Sequence, residues 1–330
     1  MASVHPIYRF SHQAMGTFFE TVLAGVDESY AGQAAGAVFQ EIDRIEGLFS
    51  RFNPCSEISQ MNRMKPGDAL IIGLETYECL SIAEKVHIET GGAFDINVRS
   101  HISASGLSDA LQVGKKIPIL PPLIKGGGEL HKFPGGAATH EFPYLEVVQT
   151  AAGFEARLHS GKKSLIRCLE LDLGGIGKGY ALDMALAVLM DWGIDQVLIH
   201  GGTSTAAAVG SPPSIGREST GWPVGVGGGW PCPEAPRQIF LKGRALSGSG
   251  IEVKGKHILD PRTGDEAQGH MAAWGSSPSA AESDALSTAF MVMSTEEVEG
   301  YCADHPEVWA LVVKDYGDCR VFNPSVVTPF

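Results

Sequence analysis

The chain has 330 residues, of which 44% are hydrophobic and 19% are charged, a composition typical of a folded globular protein and not of a disordered one. Its 38 acidic and 25 basic residues give a net charge of −13 with no basic run, which excludes nucleic-acid binding as the main function. The longest apolar run, residues 184–190, is far shorter than the roughly 20 residues of a membrane span, so we expect no transmembrane segment.

The amino terminus and the cysteines give information on the cellular compartment of the protein. Residues 1–10 contain neither the apolar core nor the cleavage site of a signal peptide, so the chain as written is expected to be cytoplasmic, or periplasmic if it is a trimmed mature form. The six cysteines show no CxxC or metal-finger spacing, and a chain of this length does not need disulfides to stay folded. We therefore expect reduced, mostly structural thiols.

The first hundred residues predict strands followed by helices. Strand-favouring residues between 7 and 26 predict a bent strand or a strand pair, interrupted at Ala14-Met15-Gly16. Apolar residues at intervals of three and four predict helices over 29–50 and 74–89. Residues 56–62 are typical of a short helix capped by serine.

The rest of the chain mixes strands and helices without a regular order. Residues 101–141 are rich in Gly and Pro, and we interpret them as an irregular excursion. Strand patterns follow at 144–149, 154–158, 165–173, 197–200, 206–209, 224–226, 238–246, 271–274 and 308–313, and helices at 176–192, 280–293 and 295–302. Without a βαβ repeat, the pattern favours a mixed α+β fold. We expect one domain over residues 1–330, with a division into two lobes left open.

Residues 171–183 combine a strand, a glycine turn and the start of a helix. Glycines let a ligand approach the backbone, and the N–H groups at a helix start attract phosphate. Lys178 is followed by Gly179, so the segment is not a Walker A motif, and it also lacks the Rossmann spacing GxGxxG. On these residues alone, a structural turn and a phosphate site are equally good interpretations.

Residues 257–264, His-Ile-Leu-Asp-Pro-Arg-Thr-Gly, predict a turn at the end of a strand. Asp260, Pro261 and Gly264 explain the turn without any function. They do not explain His257 and Arg262, an imidazole able to move a proton and a guanidinium able to hold phosphate.

Asp284 and Thr288 are four residues apart near the start of a predicted helix. This spacing places a carboxylate and a hydroxyl on one helix face, a donor pair that suits Mg²⁺ when phosphate oxygens complete its shell. The alternative is structural: an acidic residue that complements the helix dipole, and a threonine that bonds its own helix.

Six short segments, taken in chain order, resemble the ApbE family of FAD:protein FMN transferases. They are Met15-Gly16-Thr17, Ser56–Asn62, Gly91–Asp95, Asp172–Tyr180, His257–Gly264 and Asp284–Ala289. The resemblance implies a mixed α+β, T-fold-like architecture in which helices flank antiparallel sheets around a flavin-nucleotide cleft. It also implies Mg²⁺-dependent transfer of FMN from FAD to a Ser or Thr hydroxyl of a partner flavoprotein, with release of AMP.

The resemblance further implies roles for individual residues. Asp284 and Thr288, with a backbone carbonyl of the turn near Gly175, would hold the metal, which makes Asp284 a catalytic candidate. His257 would be the base that takes the proton of the acceptor hydroxyl. The expected cofactor contacts are Met15, Phe52, Asp95, Gly174, Gly175, Gly177, Lys178, Asp183, Ser249, His257 and Arg262.

The sequence leaves other functions open. With water in place of the acceptor, the same cleft would make a Mg²⁺-dependent FAD pyrophosphatase that yields FMN and AMP. A third hypothesis is a non-catalytic FAD-binding protein, although a carrier needs neither a metal site nor a base. The chain also departs from the family's usual residues at 199–203, at 248–252 and at Phe52.

Overall fold

The described part of the protein combines antiparallel sheets with helices. A computed structural model describes residues 6–98, 139–141, 144–159, 169–213, 220–227, 232, 235–251, 258–315 and 317–329. Within these ranges the helices are α1 (Glu28–Phe49), α2 (Glu57–Met61), α3 (Leu74–Glu89), α4 (Gly177–Asp191), α5 (Ala280–Val292) and α6 (Thr295–Asp304). The strands are β1 (Ile7–Ala14), β2 (Thr17–Ala24), β3 (Ala69–Ile72), β4 (Thr139–Glu141), β5 (Leu145–Thr150), β6 (Gly153–Leu158), β7 (Val197–Gly201), β8 (Thr205–Val209), β9 (Trp222–Gly225), β10 (Gln238–Leu241), β11 (Arg244–Gly250), β12 (Ala272–Ser277), β13 (Trp309–Asp315), β14 (Asp318–Phe322) and β15 (Thr328–Pro329).

A central sheet of eight strands organises the fold. Its order is β1-β2-β7-β8-β11-β12-β13-β14, beside a three-stranded sheet β15-β10-β9 and a four-stranded sheet β3-β6-β5-β4. All pairings among these strands are antiparallel. The predicted α+β class with antiparallel sheets is confirmed. Among the described residues, none of the helices has the length and apolar character of a membrane span.

The central sheet separates two hydrophobic cores. On β2, Phe19 and Leu23 belong to the core that contains the helices, whereas Val22 and Ala24 belong to the other core, as the alternation of a strand requires. Helices α4 and α5 pack against each other, and α5 lies on β11 and β12. The second core includes Trp222 of β9, so the three-stranded sheet covers the opposite face.

Several strands differ from the predictions. The strand expected over 238–246 is two strands in different sheets, because Gly243 has a φ of 63° and turns the chain between β10 and β11. Residues 139–141, in the excursion expected to be irregular, form β4, and the earlier part of that excursion lies outside the described residues. Strands β3, β14 and β15 were not predicted.

Residues 169–173, the described end of the strand expected over 165–173, belong to no sheet. Asn62 Oδ1 accepts a hydrogen bond from Leu171 N at 2.7 Å, and Asn62 Nδ2 donates to Leu171 O at 3.0 Å. Asn97 Oδ1 accepts from Glu170 N at 2.8 Å. Side-chain amides therefore satisfy the backbone groups that a sheet partner would have satisfied.

Two cysteines that we expected to be reduced form a disulfide. Cys232, in the connection between β9 and β10, is bonded to Cys319 of β14, with their Cα atoms 5.9 Å apart. The two residues are separated by 87 positions, so no local spacing revealed the pair. Of the remaining cysteines, the described ones are free thiols: Cys55, Cys79 and Cys302.

Replacing both Cys232 and Cys319 by serine is expected to lower the free energy of unfolding by about 2–4 kcal/mol. The crosslink closes a long loop, and its removal restores conformational entropy to the unfolded chain. Urea unfolding of the oxidised protein measures the change, with Cys55→Ser as the control because Cys55 is exposed and unpaired. Identical unfolding free energies for the wild type and the double variant would contradict the pairing.

His270 is a buried histidine two residues before β12 begins. It is 6% exposed, its Nδ1 lies 2.6 Å from the Phe290 carbonyl oxygen, and its Nε2 lies 3.1 Å from Thr295 Oγ1. The carbonyl requires a proton on Nδ1, so the neutral ring donates at Nδ1 and accepts the threonine hydroxyl at Nε2.

Acidification is expected to destabilise the fold through His270. Burial lowers the pKa of His270 and Lys314 adds to this, while the Phe290 carbonyl, Glu296 and Asp318 oppose it. The unfolded chain therefore takes up the proton first, and stability is lost as the pH falls below about 6.5. Urea unfolding at pH 7.5 and 5.5 should show a smaller pH dependence in His270→Gln than in the wild type. An equal pH dependence would show that the lost stability comes from other groups.

Candidate functional site

A large cavity lies at one end of the central sheet. Its volume is about 1500 Å³. Residues at the start of β2, in the turn between β7 and β8, and at the end of β11 line it. Typical small-molecule pockets hold about 300–1,000 Å³, so this cavity has room for a dinucleotide. The predicted site residues that line it are Met15, Phe52, Asp95, Gly174, Gly175, Gly177, Lys178, Ser249, Asp284 and Thr288.

The tight turn between β1 and β2 forms one wall of the cavity. Met15 has a φ of 49°, which is uncommon for a residue with a side chain, and Gly16 follows with a φ of 70°. These two residues connect Ala14 to Thr17, the last pair of the hairpin. Positive φ values at both turn positions match the right-handed twist of the strands, and they place Met15 at the cavity.

Arg51 and Phe52 form the rim of the cavity. Phe52 is 79% exposed, and the guanidinium carbon of Arg51 lies 4.1 Å from the centre of its ring. Arg51 Nε also pairs with Asp172 Oδ2 at 3.1 Å, and Asp172 Oδ1 accepts from Gly174 N at 2.9 Å. The exposed ring is thereby linked to the glycine turn, where it can stack on a planar ligand.

The glycine turn leads directly into α4. The N–H groups of Ile176 and Gly177 both donate to the Leu173 carbonyl, at 3.0 and 2.6 Å, and no side chain caps the helix. Gly174, Gly175 and Gly177 line the cavity at this helix start. The positive end of the helix dipole therefore lies at the cavity wall, where it favours an anion.

Asp284 is the centre of a buried polar cluster and is 3% exposed. Its two carboxylate oxygens lie 3.2 and 3.1 Å from Lys178 Nζ. Thr205 Oγ1 donates to Oδ1 at 3.1 Å, and Gly179 N donates to Oδ2 at 3.2 Å. Lys178 Nζ also donates to the Gly174 carbonyl at 3.2 Å. The carboxylate and a backbone carbonyl thus surround one cationic group.

Thr288 lies one turn of α5 after Asp284. Its hydroxyl donates to the Asp284 carbonyl at 3.3 Å, the bond expected of a threonine within its own helix, and it also lies 3.4 Å from Ser249 Oγ. Ser249 Oγ is 2.9 Å from Ser287 Oγ. A Cβ atom on Gly175 would lie 3.2 Å from Thr288 Oγ1, so glycine keeps space beside this hydroxyl.

The polar cluster suits a hard divalent cation. Among the described residues, no group of three or more His, Cys, Asp and Glu is arranged to hold a metal, so a site here would depend on one carboxylate. The Asp284 carboxylate, the Thr288 hydroxyl and a backbone carbonyl are hard oxygen donors of the kind that Mg²⁺ takes together with phosphate oxygens. The carbonyl that shares Lys178 Nζ with the Asp284 carboxylate is that of Gly174, next to the expected Gly175. The Asp284 carboxylate and the Gly174 carbonyl already face one cation, the Lys178 ammonium, and the donor chemistry of these residues with Thr288 fits Mg²⁺.

Asp95 is fixed in place at the cavity wall by its neighbours. Its Oδ1 accepts from Tyr144 OH at 2.8 Å and from Asn97 N at 2.7 Å. His87 Nδ1 lies 4.0 Å from Asp95 Oδ2. Burial and the charge of Asp95 raise the pKa of Tyr144, so its hydroxyl keeps its proton and remains a donor.

Asp183, an expected cofactor contact, does not line the cavity and instead holds the start of α5. Its carboxylate accepts from Ala280 N at 2.8 Å, Ala281 N at 2.9 Å and Ser279 Oγ at 2.8 Å. Burial raises the pKa of Asp183, and these hydrogen bonds oppose the shift. A carboxylate at a helix N-terminus stabilises that helix, so Asp183 supports the element that carries Asp284.

Arg262 also differs from the expectation, because its guanidinium is already paired and is not part of the cavity lining. Nη2 lies 2.9 Å from Asp260 Oδ2, and Nη1 lies 2.8 Å from Glu297 Oε1. The guanidinium that we expected to hold phosphate therefore forms an ion pair with Asp260. His257 lies outside the described residues, and its expected role as a base stays a prediction.

Three residues of the site were not anticipated. Thr205 bonds the Asp284 carboxylate and accepts from Ser247 Oγ at 3.1 Å, yet no motif marks it. Asn62 holds Leu171 just before the glycine turn, and it stands in one of the recognisable segments. Arg51 pairs with Asp172, and its place next to Phe52 in the sequence was the available signal.

Comparisons with known proteins cover most of the chain. It is 22% identical over 316 residues to the FAD:protein FMN transferase of Klebsiella pneumoniae (strain 342), spanning 92% of this chain and 83% of that one. It is 26% identical over 310 residues to the FAD:protein FMN transferase of Chlamydia pneumoniae, spanning 88% and 86%.

Solved structures show the same fold. The flavinyl transferase ApbE of Pseudomonas stutzeri, in its apo form, superposes with a TM-score of 0.70 at 18% identity over 96% of each chain. The ApbE protein of Thermotoga maritima superposes with a TM-score of 0.68 at 24% identity, covering 96% of this chain and 97% of that one. The ApbE family model matches residues 15–312, a range that contains all six of the segments noted in the sequence. The chain therefore belongs to the ApbE family.

Proposed function

We propose that this protein is an FAD:protein FMN transferase that requires Mg²⁺. The observation that carries the proposal is the cavity in which the anion-favouring turn at 174–178 lies beside the cation-accepting oxygens of Asp284 and Thr288. Adjacent sites for an anion and a cation suit a diphosphate with its metal, and FAD is the flavin that contains a diphosphate. The curated relatives bear this enzyme name.

In the proposed reaction, a Ser or Thr hydroxyl of a partner flavoprotein attacks the phosphorus of the FMN half of FAD. A new phosphoester bond forms to the acceptor oxygen, the bond to the bridging oxygen breaks, and AMP leaves with that oxygen. The proton of the hydroxyl passes to a base, for which His257 remains the candidate. Such general-base help is typically worth about 10²–10⁴-fold in rate.

The protein's own residues would contribute mainly by binding and orienting the substrate. Lys178 and the N–H groups of the turn would bind phosphate oxygens, and Met15 and Phe52 would contact the flavin. Asp284 and Thr288 would hold Mg²⁺, which when bound neutralises negative charge on the diphosphate. Catalysis would then come from positioning and electrostatic stabilisation.

A single experiment separates this function from its two alternatives. The protein is incubated with FAD, Mg²⁺ and a flavoprotein domain that offers a Ser or Thr acceptor, and both proteins and nucleotides are analysed by mass spectrometry. Transfer adds the mass of FMN less one water to the acceptor and releases AMP. Free FMN and AMP with an unmodified acceptor would indicate a pyrophosphatase, and unchanged FAD would indicate a non-catalytic binding protein.

The wild type is expected to bind FAD more tightly than FMN when Mg²⁺ is present. Both the helix start at 174–178 and the oxygen cluster act on the diphosphate, which FMN lacks. Isothermal titration with each flavin, repeated in EDTA as the control, measures the preference. Equal affinities in the presence of Mg²⁺ would contradict a diphosphate site.

We further propose that the protein works in an oxidising compartment such as the periplasm. The Cys232–Cys319 bond supports this, because such bonds persist where thiols are not kept reduced. Alkylation of the native protein directly on cell lysis, followed by mass spectrometry, tests it. Full labelling of both cysteines would contradict the proposal.

A further inference from the structure

The cavity passes around the end of the central sheet from one face to the other. On β11, Ser247 and Ser249 face α5. Ser249 bonds Ser287 of α5, and Ser247 bonds Thr205 of β8, which in turn bonds Asp284 of α5. Gly248 lies between them and therefore faces the opposite side of the sheet. Both Ser249 and Gly248 line the cavity, and so does Trp274, the cross-strand partner of Gly248 on β12. The cavity thus has a second compartment on the face away from Asp284.

Trp274 is the one side chain of β12 that is not fully buried. It packs onto the backbone of Gly248, where an added Cβ atom would lie 2.5 Å from Trp274 Nε1 and 2.7 Å from Cδ1. On its other side, its cross-strand neighbour is the buried Leu311 of β13. The indole is therefore held in place by the sheet while part of its surface is open to the cavity.

Covering a glycine is a common structural role for an aromatic residue in a sheet. That role explains the contact with Gly248 but not the exposure, since an indole needed only for the core would be buried as Trp309 is, at 0%. The second compartment is also lined by Val226, Cys232 and Ala235, which are small or apolar. Arg237 lines the cavity next to these residues, and the indole beside the apolar walls suits a planar aromatic ring.

We propose that Trp274 is the stacking platform for a planar ring of the bound dinucleotide, and that Gly248 is required to keep the indole in that position. The inference rests on the proposed function, because FAD supplies the ring. FAD carries two such rings, isoalloxazine and adenine, and either can stack on an indole. With the diphosphate at Asp284, the cavity would hold one ring on each face of the sheet end.

The test is isothermal titration of FAD, FMN and ADP, each with Mg²⁺, into the wild type, Trp274→Leu and Trp274→Phe. Stacking of a base on an aromatic side chain is typically worth a factor of about 5 to 150, so Trp274→Leu should weaken FAD binding at least about fivefold, and Trp274→Phe should weaken it less. A loss confined to FMN identifies isoalloxazine as the stacked ring, and a loss confined to ADP identifies adenine. Trp192→Leu is the matched control, because Trp192 lies at the end of α4 and outside the cavity lining.

Gly248→Ala provides a second test that does not remove the indole. The added methyl group would displace Trp274, so this variant should weaken FAD binding in the wild-type background and have little further effect in Trp274→Leu. Thermal melts and circular dichroism verify that each variant is folded.

Unchanged FAD affinity in folded Trp274→Leu would overturn the inference while leaving the proposed function intact. Equal losses for FMN and ADP would also overturn it, because they would indicate general distortion of the cavity. A wild type that does not bind FAD would overturn the proposed function and this inference together.

Discussion

Asp284→Ala is expected to reduce FMN transfer at least about 100-fold, since metal stabilisation of charge is worth several kcal/mol and each 1.36 kcal/mol is a factor of ten. Asp284 is the only carboxylate that the described residues place in the cluster with Thr288 and the Gly174 carbonyl. Without it, a hydroxyl and a carbonyl remain beside the positive charge of Lys178, which is too little negative charge to hold a divalent cation against water. Transfer rates measured over a series of Mg²⁺ concentrations should therefore fall and lose most of their dependence on Mg²⁺.

Two further variants separate the loss of the metal site from loss of the fold. Asp284→Asn keeps the size of the side chain and one of the two oxygens that accept from Thr205 and Gly179, so it should fold and still fail in transfer. Glu282→Gln removes a carboxylate from the same helix at a position that pairs with Lys85 at 2.8 Å, and it should transfer FMN at nearly the wild-type rate. A folded Asp284→Asn protein with wild-type turnover and an unchanged response to Mg²⁺ would refute the metal site.

The helices could be predicted because their signals are local. The spacing of apolar residues predicted a helix over 74–89, which is α3 residue for residue, and the first long helix is displaced by one position at each end. Asp27 caps α1 by accepting from Tyr30 N at 2.9 Å, a contact that spans three residues. Strand β3 shows the opposite case. Its residues 69–72 are all apolar although Ile71 is 70% exposed, so the sequence has no polar–apolar alternation that marks the buried face.

The candidate site divides in the same way between local and distant contacts. Asp284 and Thr288 were predictable because one helical turn brings them together. Thr205 and Asp284 are 79 positions apart in the sequence, and they meet only because β8, β11 and α5 pack together. Arg262 was expected to contact the cofactor because the turn at 257–264 does not require it, but its guanidinium pairs with Asp260 and with Glu297, which is 35 residues later. The pairing of charged groups is decided by tertiary contacts that a motif does not record.

Gly179 illustrates a glycine whose role is packing and not ligand binding. It follows Lys178 in the segment that resembles the family, and it does not line the cavity. An added Cβ atom would lie 2.7 Å from the Ala281 Cα atom and closer still to the carbonyl of Ala280. These are backbone atoms at the start of α5, the region that Asp183 also holds, so they cannot move aside as a flexible side chain would.

Gly179→Ala is therefore expected to destabilise the protein by about 4 kcal/mol or more, at the upper end of what single substitutions do, although alanine favours a helix. The methyl group would force α4 and α5 apart, and the same displacement would separate Lys178 on α4 from Asp284 on α5. Gly36→Ala is the matched control in α1, where nothing lies within 4 Å of the added atom, and it should stabilise the protein by about 0.5–1 kcal/mol through helix propensity. Urea unfolding compares the two variants, and equal effects would show that α4 and α5 are not packed as closely as the structure has them. Under conditions where the Gly179→Ala variant is folded, its rate of FMN transfer should also be lower than that of the wild type, because the position of Lys178 relative to Asp284 depends on the same helix contact.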